Sequence, residues 1–431
     1  MTYTGARQPK VLFLSQILPY PLDSGPRIRT FLVIKYLSAR YDVTLVPLVR
    51  STDELANLGP LPELCRVHPV LFRRSRIRDL GRALRSLITG EPFMIIRHRS
   101  AEMCHVVERL LAEERFDLIH VDQIKTAQCV EDVTWLPRLI DKHNVYADVI
   151  RGVAEDGRAS FLKRAFARLE WPKLARYESH ICREFDHILT VTKADKQAIA
   201  RLSGTSRPIT VVPIAAAPDM VPVIQRRPDA RHIVSVGSMF YPPNVEGALW
   251  FVREVYPHIK AELPDVKLYL IGGRPDREIR QLGARIPDVI VTGYVEDLTP
   301  YLEQSAVMVA PVHFGSGMRV KVLDALTWGM PLVSTSFGCQ GIEVTPNEDI
   351  LIADQATDFA AAVCQLIRER EMADRLAVNG RRLIETRYDW RQVYPAIETA
   401  YRDLWKHTNQ NNHHQSPPPG VDKDNEEGAT K

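Results

Sequence analysis

The 431-residue chain is 45% apolar and 25% charged, a soluble globular composition, and it is long enough to need two hydrophobic cores. A net charge of +3 gives no bulk argument for a nucleic-acid partner, and no 18-residue apolar run is present to span a membrane. The charge is unevenly divided, +9 over residues 1–210 and −6 over 211–431, so the two halves suit different partners.

In chain order, Arg7 and Lys10 precede only the short apolar run Val11–Leu14, so no secretion signal is expected. Val11–Ser15 reads as a first strand. A loop with Pro19, Pro21 and Gly25 leads to Pro26, suited to the first turn of a helix through Ala39. Val43–Val49, Leu118–Val121, Leu139–Asp141 and Ile188–Val191 read as further strands, and Asp195–Leu202 as a helix ending near Gly204. Ile209–Ile214 and the following Ala-Ala-Ala-Pro read as a crossing between domains. A second series follows: Ile233–Val236, Lys267–Ile271, Val289–Thr292, Val307–Val309 and Pro331–Ser334, each running into glycine, proline or a small residue. Strands alternating with helices predict parallel α/β architecture, and ligands of such sheets sit beyond the carboxyl ends of the strands. Helices are expected over 357–386 and 390–406, and a polar, disordered tail from Asn409.

Six cysteines are scattered without a Cys-x-x-Cys pair, which favours reduced thiols in the cytoplasm over disulfides or zinc. Arg73, Arg74, Arg76 and Arg78, with Arg82 and Arg85, are interleaved with Leu80, Leu84, Leu87 and Ile88. Such a run is either a solvated face or a docking surface for anionic lipid. Asp422-Lys423-Asp424 has the spacing of a metal-binding pair of carboxylates, but it falls in the tail and reads as chance; no metal is expected.

The block Gly315–Thr335 carries the most chemistry. Gly315-Ser316-Gly317 forms a loop that lets backbone approach a ligand, and the helix that follows offers unpaired N–H groups to an anion. Arg319 and Lys321 add positive charge there. Lys321 and Asp324, three apart, share a helix face opposite Val322, Leu323 and Leu326. Cations for phosphate and a carboxylate for vicinal hydroxyls could serve one ligand together. An exposed helical ion pair is the plainer alternative.

The second half resembles family 4 glycosyltransferases of the GT-B fold, two Rossmann-like domains facing each other across a cleft. The resemblance rests on ordered stretches: Val236-Gly237-Ser238-Met239 with Pro242-Pro243-Asn244, Leu270-Ile271-Gly272-Gly273, Val291–Asp297, and Gly315–Thr335. Pro19–Arg29, Asp141–Tyr146 and Phe185–Asp195 are looser matches in the first half. The resemblance implies an acceptor-binding domain over 10–208, a nucleotide-sugar domain over 209–387 and a helix over 388–406 returning to the first. The donor is expected to be a UDP-sugar, bound by Gly25, Gly237, Ser238, Ser316, Gly317, Met318, Arg319, Lys321 and Asp324. His143, through a neutral ring or its backbone carbonyl, is expected beside the transferred sugar and, with Asp324, to be catalytic. Arg27 and Arg29 would guard acceptor or phosphate, and Arg73, Arg74, Arg76 and Arg78 the acceptor or membrane side. Transfer to a glycan or lipid-linked glycan with retention, without cofactor or nucleic-acid partner, fits exopolysaccharide synthesis at the inner face of a membrane. Ser316 and Met239 depart from the family's usual charged residues, leaving a sugar-nucleotide epimerase or hydrolase, or a non-catalytic binding protein, as alternatives.

Overall fold

The computed structural model describes residues 7–22, 24–73, 75–155, 160–315 and 317–411; the side chains of Arg76 and of residues 407–411 are not described. Among these residues the strands form two parallel sheets. The first contains β1 (Lys10–Ser15), β2 (Asp42–Val49), β3 (Arg66–Val67), β4 (Val70–Leu71), β5 (Leu118–Asp122), β6 (Arg138–Lys142), β7 (His187–Thr190) and β8 (Ile209–Val211), in the order β3-β2-β1-β5-β6-β7-β8 with β4 beside β2. The second contains β9 (His232–Val236), β10 (Leu268–Ile271), β11 (Val289–Gly293), β12 (Ser305–Ala310), β13 (Leu332–Ser334) and β14 (Leu351–Ile352), in the order β11-β10-β9-β12-β13-β14. The central strands are near-continuous apolar runs because helices cover both faces. Each sheet reverses its winding once, between β1 and β5 and between β9 and β12, and a crevice opens at such a reversal.

Two expectations change here. Ile209–Val211 is not a crossing but the edge strand of the first sheet, paired with β7, so the first domain ends beyond residue 208. The predicted helix 357–386 is two, Ala356–Arg368 and Arg370–Leu383, separated at Glu369. The Pro395–Asn411 helix includes the start of the expected tail; residues 412–431 lie outside the described residues.

The chain passes between the domains twice, and the two passages are bonded to each other. Ala216 N–H donates to Tyr388 O at 2.7 Å and Trp390 N–H to Ala216 O at 3.0 Å. The Pro395–Asn411 helix then returns to the first domain, burying Tyr394, Ile397, Tyr401 and Leu404 in the core formed by β1, β2 and the Gly25–Ser38 helix. Tyr401 reaches the sheet itself: its hydroxyl lies 2.8 Å from His120 Nδ1, and His120 stacks on Phe13 with centroids 4.4 Å apart.

Cys104 and Cys129 form a disulfide across the contact between the Ala101–Glu113 helix and the Ile124–Cys129 turn. This corrects the expectation of six free thiols and removes that support for a reducing compartment. Their 25-residue separation gives no sign that packing brings the Cα atoms within 4.7 Å.

Tyr401→Ala should cost about 3–5 kcal/mol of stability, the range for deleting a buried aromatic ring. Tyr401→Phe should cost about 1–2 kcal/mol, through the orphaned His120 nitrogen. Urea denaturation of the two variants measures both.

Candidate active site

The first wall of the cleft is built on β1, β5 and β6. Their carboxyl ends bring together Ser15, Asp122, Asp141 and His143. Arg29, on the inner face of the Gly25–Ser38 helix, is fully buried. It donates to both carboxylate oxygens of Asp141 at 3.0 Å, and to Val212 O at 3.2 Å and Pro213 O at 2.9 Å. Asp122 Oδ2 accepts from Ser15 Oγ and Thr30 Oγ1, both at 2.9 Å, while Asp122 Oδ1 lies 2.9 Å from His143 Nε2.

Burial alone would lower the His143 pKa, but Asp122 and then Asp141 outweigh it and hold the ring above its ordinary value. Burial would likewise raise Asp141, and Arg29 and then His143 hold that carboxyl below the usual range. The ring is turned into a carboxylate pair, which favours its protonated form over the neutral imidazole expected from sequence. Its backbone carbonyl points the other way: a Cβ on Gly317 would stand 3.2 Å from His143 O and 2.8 Å from Asn144 Oδ1. Asp122, Asp141 and His143 offer ligand atoms within 4.8 Å of one another, a grouping that could accept a cation. Arg29 and His143 already engage the two carboxylates.

The second wall is built on the Val320–Thr327 helix and the loop before it. Its amino end meets that of the Gly25–Ser38 helix: a Cβ on Gly25 would lie 2.6 Å from Val320 Cγ2. Two helix N-termini thus converge, each carrying partial positive charge and unpaired N–H groups. Gly317, at φ +72°, supplies a backbone turn that a side chain would strain. Lys321 flanks the junction, with its Nζ 3.4 Å from where a Cβ on Gly237 would stand. Burial, then the neighbouring Arg319, lowers Lys321 to about 8. Asp324 lies on the same face but forms no ion pair with Lys321; burial alone raises its carboxyl to about 7. The exposed-ion-pair alternative does not hold for this pair.

Other predicted residues lie elsewhere. Met318 is buried, and its sulfur accepts from Ile214 N–H at 3.2 Å, so its side chain packs the domain junction. Arg319 donates to Gly317 O at 2.9 Å and sits 5.1 Å from the Phe337 ring centroid, shaping the loop from within. Arg27 pairs with Glu54 at 2.7 Å; Arg29 is the buried clamp and so does not guard the cleft as expected. Gly272 admits the Gly237 carbonyl, since a Cβ on Gly272 would fall 1.7 Å from Gly237 O; Ser238 O accepts from Asn244 Nδ2 at 3.1 Å. Ser316 and Arg74 lie outside the described residues, as does the side chain of Arg76. Arg73 and Arg78 are exposed, away from these groups.

Sequence reading missed three polar residues on the first wall. Gln123 Oε1 accepts from Gln16 Nε2 and, at 2.7 Å, from Tyr146 OH. On the second wall it missed Tyr294 and Phe240, both exposed; Arg274 stacks 3.9 Å from the Phe240 ring centroid. Each stands within a few residues of a strand's carboxyl end, the one signal that could have marked them.

Comparison with known proteins agrees with this layout. Residues 230–369 match the family described as Glycosyl transferases group 1. An uncharacterised 44.6 kDa protein of the cps region of Klebsiella pneumoniae is 22% identical over 402 residues, covering 90% of this chain and 98% of that protein. Sucrose-phosphate synthase of Thermosynechococcus elongatus superposes with a TM-score of 0.65 at 16% identity, over 92% of this chain and 100% of that one. Anabaena HepE, solved with UDP and glucose, gives a TM-score of 0.64 at 13% identity over the same shares. The architecture is GT-B.

Asp324→Asn should stabilise the ligand-free protein. The folded pKa of about 7 lies above the ordinary 3.8, so the fold binds the extra proton between those values and loses stability as pH rises through them. Thermal melts should show the variant a few degrees above the parent at pH 8 and nearly level with it at pH 4.

Proposed function

We propose that this glycosyltransferase, with its group 1 domain in the second half, moves a hexose from a UDP-sugar to a hydroxyl of a glycan or lipid-linked glycan, with retention. The observation that carries this reading is the convergence of two helix N-termini beside Lys321, with the unpaired Asp324 carboxylate on the same face. A diphosphate fits the positive end of that arrangement. Vicinal ribose hydroxyls fit Asp324, and Tyr294 offers an exposed ring for the base. That HepE was solved with UDP and glucose supports the choice of nucleotide, and the cps-region relative supports a surface polysaccharide as the destination.

In the reaction, the bond from the anomeric carbon to the diphosphate oxygen breaks, and the diphosphate leaves with the electron pair. The acceptor oxygen bonds to the same face of the sugar, and its proton passes to the departing diphosphate. The protein's contribution is position and fixed charge. Lys321 and the helix N-termini stabilise the departing anion. The His143 carbonyl, aimed at the Gly317 loop, faces the positive charge that develops on the sugar, while the ring stays against its carboxylate pair. Gln16, Gln123 and Tyr146 present hydrogen-bonding groups on the acceptor side.

Asp324→Ala should weaken UDP-sugar binding about 10–100-fold, the loss of hydrogen bonds to a charged group, with turnover falling at least as far. Calorimetry and a coupled UDP-release assay measure these, and unchanged donor affinity would remove the reading. Release of free sugar as the sole product, with candidate acceptors present, would point to a hydrolase.

Proton exchange on UDP binding should reverse with pH. Below about 7, Asp324 must lose a proton to accept ribose hydroxyls; above about 8, Lys321 must gain one to meet diphosphate. Calorimetry in buffers of different ionisation enthalpy should show proton release at pH 6.5 and uptake at pH 8.5.

A further inference from the structure

The Arg76–Thr89 helix rests on the wrong face for a helix of a closed globule. Asp79, Arg82 and Ser86 point inward: Asp79 accepts from Arg97 at 3.1 Å and from Arg82 at 3.3 Å, and the Ser86 carbonyl accepts from Lys173 at 2.7 Å. Its apolar stripe, Ile77, Leu80, Leu84, Leu87 and Ile88, faces solvent, each residue 60–85% exposed. Lys173 belongs to the adjoining Phe161–Glu184 helix, whose opening turns repeat the inversion. There Ala167 and Glu170 are buried, with Glu170 held by Met94 N–H at 2.8 Å, while Phe161, Leu162, Phe166 and Leu169 are 47–78% exposed.

We propose that these two helices form a membrane-docking surface that inserts its aliphatic and aromatic side chains into the interface of an anionic bilayer. Charge selects this occupant over an apolar protein partner. The Arg76–Thr89 helix carries four arginines against the single acid Asp79; Arg82 pairs inward with Asp79 and Arg85 pairs with Glu91 at 3.0 Å, so its surplus charge is that of Arg76 and Arg78. Residues 161–169 carry Lys163, Arg164 and Arg168 with no acid. An apolar stripe bordered by cations suits acidic headgroups over acyl chains; a second copy would set these cations against their own kind. The surface belongs to the first domain, so it would present the acceptor wall to a lipid-borne substrate. That role rests on the sugar-transfer reading, whereas the surface itself does not.

Flotation of the full chain with vesicles tests this. Vesicles of phosphatidylcholine with phosphatidylglycerol should carry the protein, and pure phosphatidylcholine should carry it weakly. Leu80→Gln with Leu84→Gln and Leu87→Gln should abolish flotation, as should Phe161→Ser with Leu162→Ser; these side chains are already exposed, so thermal melts and UDP binding should be unchanged. Arg78→Gln with Arg168→Gln should lower partition about thirtyfold. Equal partition into both vesicle types, or into neither, overturns the proposal. So does self-association in sedimentation velocity that the leucine variants abolish while vesicle binding persists. Vesicle binding by a protein that turns over no UDP-sugar would sink the proposed reaction and leave the surface standing.

Discussion

The buried Arg29–Asp141 pair fixes the geometry on which the first wall depends. A guanidinium and a carboxylate taken from water lose several kcal/mol of hydration each, and only good geometry with further hydrogen bonds recovers it. Here Arg29 Nη2 donates to both oxygens of Asp141 and Nη1 to the Val212 and Pro213 carbonyls, while the buried Nε has no partner among the described residues. One side chain thus ties the Gly25–Ser38 helix, β6 and the exit of the first domain to a common point. The amino end of that helix is aimed as a consequence, and so is the segment after β6 that carries His143. Replacing Arg29 with an apolar residue would leave Asp141 buried without its principal cation and the His143 ring without a settled charge balance.

Across the cleft, precision comes from missing atoms. The halves touch where glycine stands: Gly25 against Val320, Gly317 against His143 and Asn144, and Gly341 against Thr192, whose Cγ2 would lie 2.7 Å from an added Cβ. Any side chain at these places would wedge the walls apart. The facing helix termini meet where Gly25 lies against Val320. Lys321 and Asp324 sit beside this junction without neutralising each other, an arrangement that costs stability in the free protein and leaves both groups ready for a ligand.

Much of this was legible in the chain. Apolar runs ending in glycine or proline mark buried parallel strands, because both faces of such strands are covered, and the Gly315–Thr335 block showed its loop and helix directly. Arg29 was not legible: its neighbour Arg27 has the same chemistry, and only the fold decides which of them is inside. His143 was singled out, but its neighbour Asp122 belongs to another strand that no local pattern links to it. The stripe on the Arg76–Thr89 helix was visible as a period, yet periodicity gives the width of an apolar face and not its direction. Ile209–Val211 read as a connection because it is short and followed by alanines, whereas pairing to β7 makes it a strand. Cys104 and Cys129 meet through packing of distant segments, which spacing does not encode.

The doubled passage between the domains limits how the enzyme can breathe. One connecting strand would allow the second half to swivel and twist freely about a point. Two, held side by side through Ala216, Tyr388 and Trp390, behave more like the pin of a door. Opening is then confined to rotation about a single line, and each closure returns the glycine contacts and the paired helix ends to register without a search through misaligned poses.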